Sequence, residues 1–229
     1  MGYVAFNNKC DTLGFLRYKL KILLFNGEFQ MKQSSLLTPN SSYKTNTLVS
    51  LLRWRADQHP DTLAFRFLQD DESENVTINY AELDRRARAI GAWLESFGAK
   101  GERALLLYSP GLDYIAAFMG CLYAGVTAVP AYPPRLNRPA PRIQSIVDDS
   151  HATFALTTTT ILSNIEKRFE HAPDLKALHW LNTDQVPAGL EADWRDPNVS
   201  TDTLAFLQYT SGSTSQPKGV MLSHGNLMH

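Results

Sequence analysis

The sequence predicts an α/β fold of mixed sheets flanked by helices, on three observations. Residues 104–108 are a short unbroken apolar run, the pattern of a strand covered on both faces within a parallel sheet. A helical stretch over residues 112–123 follows, and a second strand at 127–129 completes a strand–helix–strand unit. A last apolar run, residues 204–207, enters a loop rich in hydroxyls and glycine that leaves through Val220-Met221-Leu222, a strand and not a helix.

The remaining elements follow from periodicity and punctuation. Thr47 is placed as an N-cap, Leu48, Leu51, Leu52 and Ala56 share one helical face, and Pro60 stops that helix. Residues 64–68 and 76–79 read as a hairpin joined by Asp70-Asp71-Glu72-Ser73-Glu74-Asn75, an acidic turn whose carboxylates are solvated. Leu83, Ala87, Ile90, Leu94 and Phe97 make the clearest apolar stripe, with Trp93 beside it as a core residue and Gly98 as the C-cap. Further helices are expected at 143–149 and 161–169, and strands at 154–157 and 177–181. Residues 182–202, with Pro187, Gly189 and Pro197, form a polar connector.

Composition narrows the function classes. With 44% hydrophobic and 20% charged residues the chain is of the ordinary globular kind, and a net charge of −1 removes the electrostatic case for nucleic acid or an acidic membrane surface. Cys10 and Cys121 belong to no metal or redox motif, which favours a cytoplasmic location. No apolar run approaches the roughly eighteen residues of a membrane span. Residues 1–46 read as a poorly structured leader and 47–229 as one incomplete domain. Within the leader, Arg17, Lys19 and Lys21 break the apolar run too often for a signal peptide. Residues 1–30 are read as translated upstream sequence with the natural start at Met31. The alternative is a weak basic anchor at a membrane surface.

The chemistry concentrates in Leu207-Gln208-Tyr209-Thr210-Ser211-Gly212-Ser213-Thr214-Ser215-Gln216-Pro217-Lys218-Gly219-Val220. Backbone N–H groups of such a loop can line an anion nest, hydroxyls add hydrogen bonds, and an ammonium faces the charge. Thr210, Ser211, Gly212, Ser213, Thr214 and Lys218 are therefore the candidate phosphate-binding residues. A Walker P-loop is excluded, because Lys218 is followed by Gly219 and the loop leads into a strand. Ser211 and Ser213 are not nucleophiles, since no Gly-x-Ser-x-Gly elbow surrounds them. The bland alternative is a polar hairpin loop.

A second candidate follows the strand at 127–129. Pro130-Ala131-Tyr132-Pro133-Pro134-Arg135 lies where open α/β sheets place ligands, outside a strand's carboxyl end, and the prolines present Tyr132 on a stiffened loop. A rigid connector without ligand contact is the equal alternative. Arg135, Arg138 and Arg142 form a basic cluster that is either solvated surface or a docking point for an acidic partner. His151 and His171 are expected to face solvent.

On these motifs the chain resembles the adenylate-forming (AMP-binding) superfamily over residues 47–229. Thr77-Ile78-Asn79-Tyr80-Ala81-Glu82-Leu83 and Gly125-Val126-Thr127-Ala128-Val129-Pro130 are similar to its early landmarks. Ala131-Tyr132-Pro133-Pro134-Arg135, together with Ser223-His224-Gly225-Asn226-Leu227, resembles the fatty-acyl-AMP ligase branch. The resemblance implies the N-terminal part of the large domain of such an enzyme. It implies ATP and Mg²⁺, a long-chain fatty acid activated to acyl-adenylate with release of pyrophosphate, and transfer to the phosphopantetheine thiol of an acyl carrier protein. Such ligases feed polyketide and lipopeptide assembly. The loop residues would hold the β- and γ-phosphates, with Lys218 near the departing pyrophosphate. No residue of the chain is assigned as a metal ligand. The family's Mg²⁺-binding acid, ribose aspartate and C-terminal catalytic lysine are expected beyond His229, so the 229 residues alone are expected to be inactive. His224 is left out of the catalytic set because a fatty carboxylate needs no deprotonation at pH 7, and a structural or phosphate-proximal role is expected instead. An acyl-CoA synthetase fragment, a non-catalytic ATP- or carrier-binding module, and one half of a split enzyme remain open.

Overall fold

Two apolar clusters on opposite faces of one sheet organise the molecule, and its central strand shows why. In β3 (Arg103–Leu107), Ala104 and Leu106 join one cluster while Leu105 and Leu107 join the other. That is the period of two that sends successive side chains to opposite faces. The computed structural model describes residues 45–67, 76–134, 141–167, 169, 172–210 and 217–228.

One face of the sheet is covered by α1 (Leu48–Gln58), the hairpin β1 (Leu63–Phe67) and β2 (Val76–Asn79), α2 (Tyr80–Ser96) and α3 (Leu112–Tyr123). Thr47 caps α1 as expected. Its hydroxyl accepts from the Ser50 N–H while the Ser50 hydroxyl accepts from the Thr47 N–H, satisfying two otherwise orphan donors. Asn79 does the same for α2 through the Glu82 N–H, 2.8 Å away. The predicted stripe of α2 is buried except at its last member: Leu83, Ala87, Ile90 and Leu94 are inside, but Phe97 is 43% exposed. Beyond the C-cap the helix gives way at Gly98, with φ +69°. Trp93 is partly buried against the core.

The other face is covered by α4 (Pro141–Ser150), α5 (Thr159–Glu166) and α6 (Pro173–Ala177). The sheet runs β6 (His179–Asn182), β5 (Phe154–Thr157), β3, β4 (Thr127–Ala131), β7 (Leu204–Thr210), β8 (Lys218–Ser223). Its first five strands are parallel and β8 alone is antiparallel. A short α7 (His224–Leu227) follows β8.

The structure departs from the sequence reading at three places. Ala177 belongs to α6 and not to a strand, because Pro173 at the first helical position starts a turn that runs up to it. The 182–202 connector contains two 3₁₀ turns, Thr183–Gln185 and Leu190–Asp193. The helix expected at 161–169 starts earlier and ends at Glu166. The acidic turn at 70–75, His171, Arg135, Arg138 and the leader up to residue 44 lie outside the described residues.

Candidate functional site

Strand order determines where the candidate residues meet. The connection leaving β4 runs back across the sheet to β5, whereas the one leaving β7 turns outward to β8. β4 and β7 are neighbours, so their connections diverge from adjacent carboxyl ends. Such a switch point opens a crevice, the usual place for a ligand in an open α/β sheet. The Tyr132 segment follows β4 and the hydroxyl-rich loop follows β7, which brings the two candidate segments to one edge.

Thr210 ends β7 and Lys218 opens β8, and the two pair directly across the base of the loop. Lys218 is exposed, with its ammonium available to an anion. Ser211, Gly212, Ser213 and Thr214 lie outside the described residues. Tyr132 is 43% exposed and borders a cavity of about 80 Å³ together with Pro130, Ala131, Ile143, Ile146 and Tyr209. Arg142, the described member of the arginine cluster, lies on the same cavity. The cavity thus has an apolar floor from β4 and α4 and one cation at its edge.

Tyr209 carries a role that the sequence did not reveal. It sits one residue before Thr210, yet it is only 2% exposed. Its hydroxyl donates to Asp149 Oδ2 of α4 at 2.5 Å. Burial, with that bond and the Asp149 charge, holds the phenol well above its ordinary pKa, so it remains a donor. Across the ladder its partner is Gly219. A Cβ at that position would lie 2.9 Å from Tyr209 Cζ, so only glycine lets the hydroxyl end of the ring come this close to β8. Alternation along β7 puts Tyr209 on the face of Leu207, which was legible, but its reach to α4 was not.

His224 is structural. It is 1% exposed, and its Nδ1 accepts the Leu48 N–H at 3.4 Å, tying α7 to the first turn of α1. Burial drops its pKa to about 4, which keeps the ring neutral and able to accept. His151 is exposed, as expected. Among the described residues no group of three or more His, Cys, Asp or Glu could hold a metal ion. None of the described helices is long and apolar enough to cross a membrane.

The known proteins similar to this chain agree on the family. Residues 52–229 match the family described as AMP-binding enzyme. The chain is 46% identical over 188 residues to the medium-chain-fatty-acid–[acyl-carrier-protein] ligase JamA of Moorena producens, covering 80% of this chain and 32% of that protein. It is 36% identical over 179 residues to the long-chain-fatty-acid–AMP ligase FadD32 of Mycolicibacterium smegmatis, covering 76% and 28%. Among solved structures, a fatty acyl-adenylate ligase from L. pneumophila, in complex with acyl adenylate and pyrophosphate, superposes with a TM-score of 0.72. That comparison is at 37% identity and covers 79% of this chain and 31% of the other. The chain therefore spans about a third of the length of these relatives, and it covers their N-terminal part. It belongs to the AMP-binding, adenylate-forming enzyme family, and within that family it is similar to the fatty-acyl-AMP ligases.

Proposed function

We propose that this chain supplies the phosphate-binding N-terminal part of a fatty-acyl-AMP ligase, with residues 47–229 as a partial adenylation domain. The observation that carries the reading is the pairing of Thr210 with Lys218 at the base of a hydroxyl-rich loop, beside the cavity below Tyr132. A fatty carboxylate attacks the α-phosphorus of ATP, a carboxylate–phosphate bond forms, and the bond to pyrophosphate breaks. That step asks the protein for in-line positioning and for charge neutralisation on the leaving group. In this reading Lys218 and the hydroxyls and amides of Thr210, Ser211, Gly212, Ser213 and Thr214 would bind the β- and γ-phosphates. Tyr132 borders the neighbouring substrate position. The family's Mg²⁺-binding acid is expected beyond His229, and Mg²⁺ on the ATP phosphates would supply charge neutralisation there. A carrier-protein thiol then gives up its proton and takes the acyl group as a thioester while the acyl–phosphate bond breaks and AMP leaves, a choice of acceptor supported by the name of the Moorena relative. The compartment in this reading is the cytoplasm.

A chimera tests it. Residues 47–229 replace the matching segment of the Moorena ligase, and fatty-acid-dependent exchange of pyrophosphate into ATP is measured. Exchange by the chimera, with none from the 229-residue chain alone, is the expected result. A folded chimera that binds fatty acid but exchanges no pyrophosphate contradicts the reading.

A further inference from the structure

We propose that Tyr209 and Asp149 are positioning residues for the triphosphate, fastening the base of the loop to α4 and so setting the spacing of Thr210 and Lys218. The inference rests on the phosphate reading above. Neither residue touches the nucleotide in this scheme. They act through the two strand ends.

Three observations converge on this role. First, Tyr209 and Gly219 are the register pair next to Thr210 and Lys218, so anything that moves the former pair moves the latter. Second, β8 is an edge strand whose described hydrogen-bonded neighbour is β7, and Lys218, Gly219, Val220 and Met221 are all exposed. Among the described residues, then, this end of β8 is held through its ladder with β7 and through Tyr209. Third, the Tyr209 ring lies against Gly219 while its hydroxyl donates to Asp149 at 2.5 Å. One side chain thus spans β8, β7 and α4. Asp149 is itself exposed, and a carboxylate held there for packing alone is hard to motivate. As a hydrogen-bond acceptor it restrains a ring that would otherwise tilt about its χ angles. A preorganised stem spares the bound state the ordering cost of two strand ends, and that saving appears as affinity.

The test is titration of Mg-ATP into the full chain and into Tyr209→Phe, Asp149→Ala, Asp149→Asn and Lys218→Ala, with hydrogen exchange followed on each. Tyr209→Phe keeps the ring on Gly219 and loses the hydroxyl, and it is expected to weaken binding about five- to tenfold, as does Asp149→Ala. Asp149→Asn keeps an oxygen acceptor and recovers most of that loss. Exchange in Tyr209→Phe rises in the amides of β7 and β8 while α1 and α2 stay protected. If Lys218→Ala weakens binding but Tyr209→Phe does not, the positioning role is overturned and the phosphate reading stands. If the full chain binds no Mg-ATP, or Lys218→Ala binds as well as the parent, both are overturned together. Exchange that rises across the whole molecule, with no recovery in Asp149→Asn, would reduce the pair to general fold stability and also overturn the role.

Discussion

β3 and β8 belong to one sheet but are held by different forces. Ala104, Leu105, Leu106 and Leu107 of β3 are all at 0% exposure, with helices on both faces. In β8, Met221 is 70% and Val220 49% exposed. The apolar run of β3 is chosen by burial and states its own position in the sheet. β8 takes its position from the ladder with β7 and from Tyr209 against Gly219. Among the described residues, the strand carrying the candidate phosphate lysine is thus fixed by the core less than β3 is, and it leans on its ladder with β7.

The sharpest way to break the comparison is to cut into the centre. Leu106→Ala should cost about 4 kcal/mol in denaturant unfolding, as the lost transfer energy and the cavity left in a packed layer add together. A cost below about 1 kcal/mol would mean that the layer around β3 collapses freely.

His224 comes next, because it is the point where the chain after β8 becomes buried. Its folded pKa lies near 4 against an unfolded value of 6.5, so the neutral ring contributes fully above pH 6.5. As pH falls from 6.5 towards 4 the unfolded chain binds the proton first, and stability drains by roughly 3 kcal/mol before levelling off below pH 4. His224→Asn offers an oxygen acceptor to the Leu48 N–H without a titrating ring. The difference in unfolding free energy between parent and variant should therefore change across that window, and a constant difference would remove the buried neutral histidine. The smallest effect belongs to the edge: Met221→Ser should alter stability by no more than about 0.5 kcal/mol.

Legibility in the sequence follows the same division. Elements set by local rules were readable: the Thr47 cap, the stripe through Leu83 and Leu94, and the unbroken apolar strands around Leu105 and Ala155 all appear where expected. Phe97, at the end of that stripe, ends up exposed and meets the His179 ring of β6 at a tilt of 53°, a contact made through the tertiary fold. Thr210, Lys218 and Tyr132 could be picked from motif chemistry. Their convergence depends on β4 and β7 being neighbours although their partners Ala128 and Phe206 lie 78 positions apart, a topological fact and not a local one. The Tyr209–Asp149 bond joins positions 60 apart in sequence, and no periodicity announces it.

The most direct measurement is amide NMR of the chain as Mg-ATP is added. A single crevice between the ends of β4 and β7 predicts shifts at Tyr209, Thr210, Lys218 and Gly219, with smaller ones at Ala131 and Tyr132, while the amides of α1 and β6 stay still. Shifts absent from the β7–β8 stem, or scattered over the sheet without a focus at that edge, would contradict it.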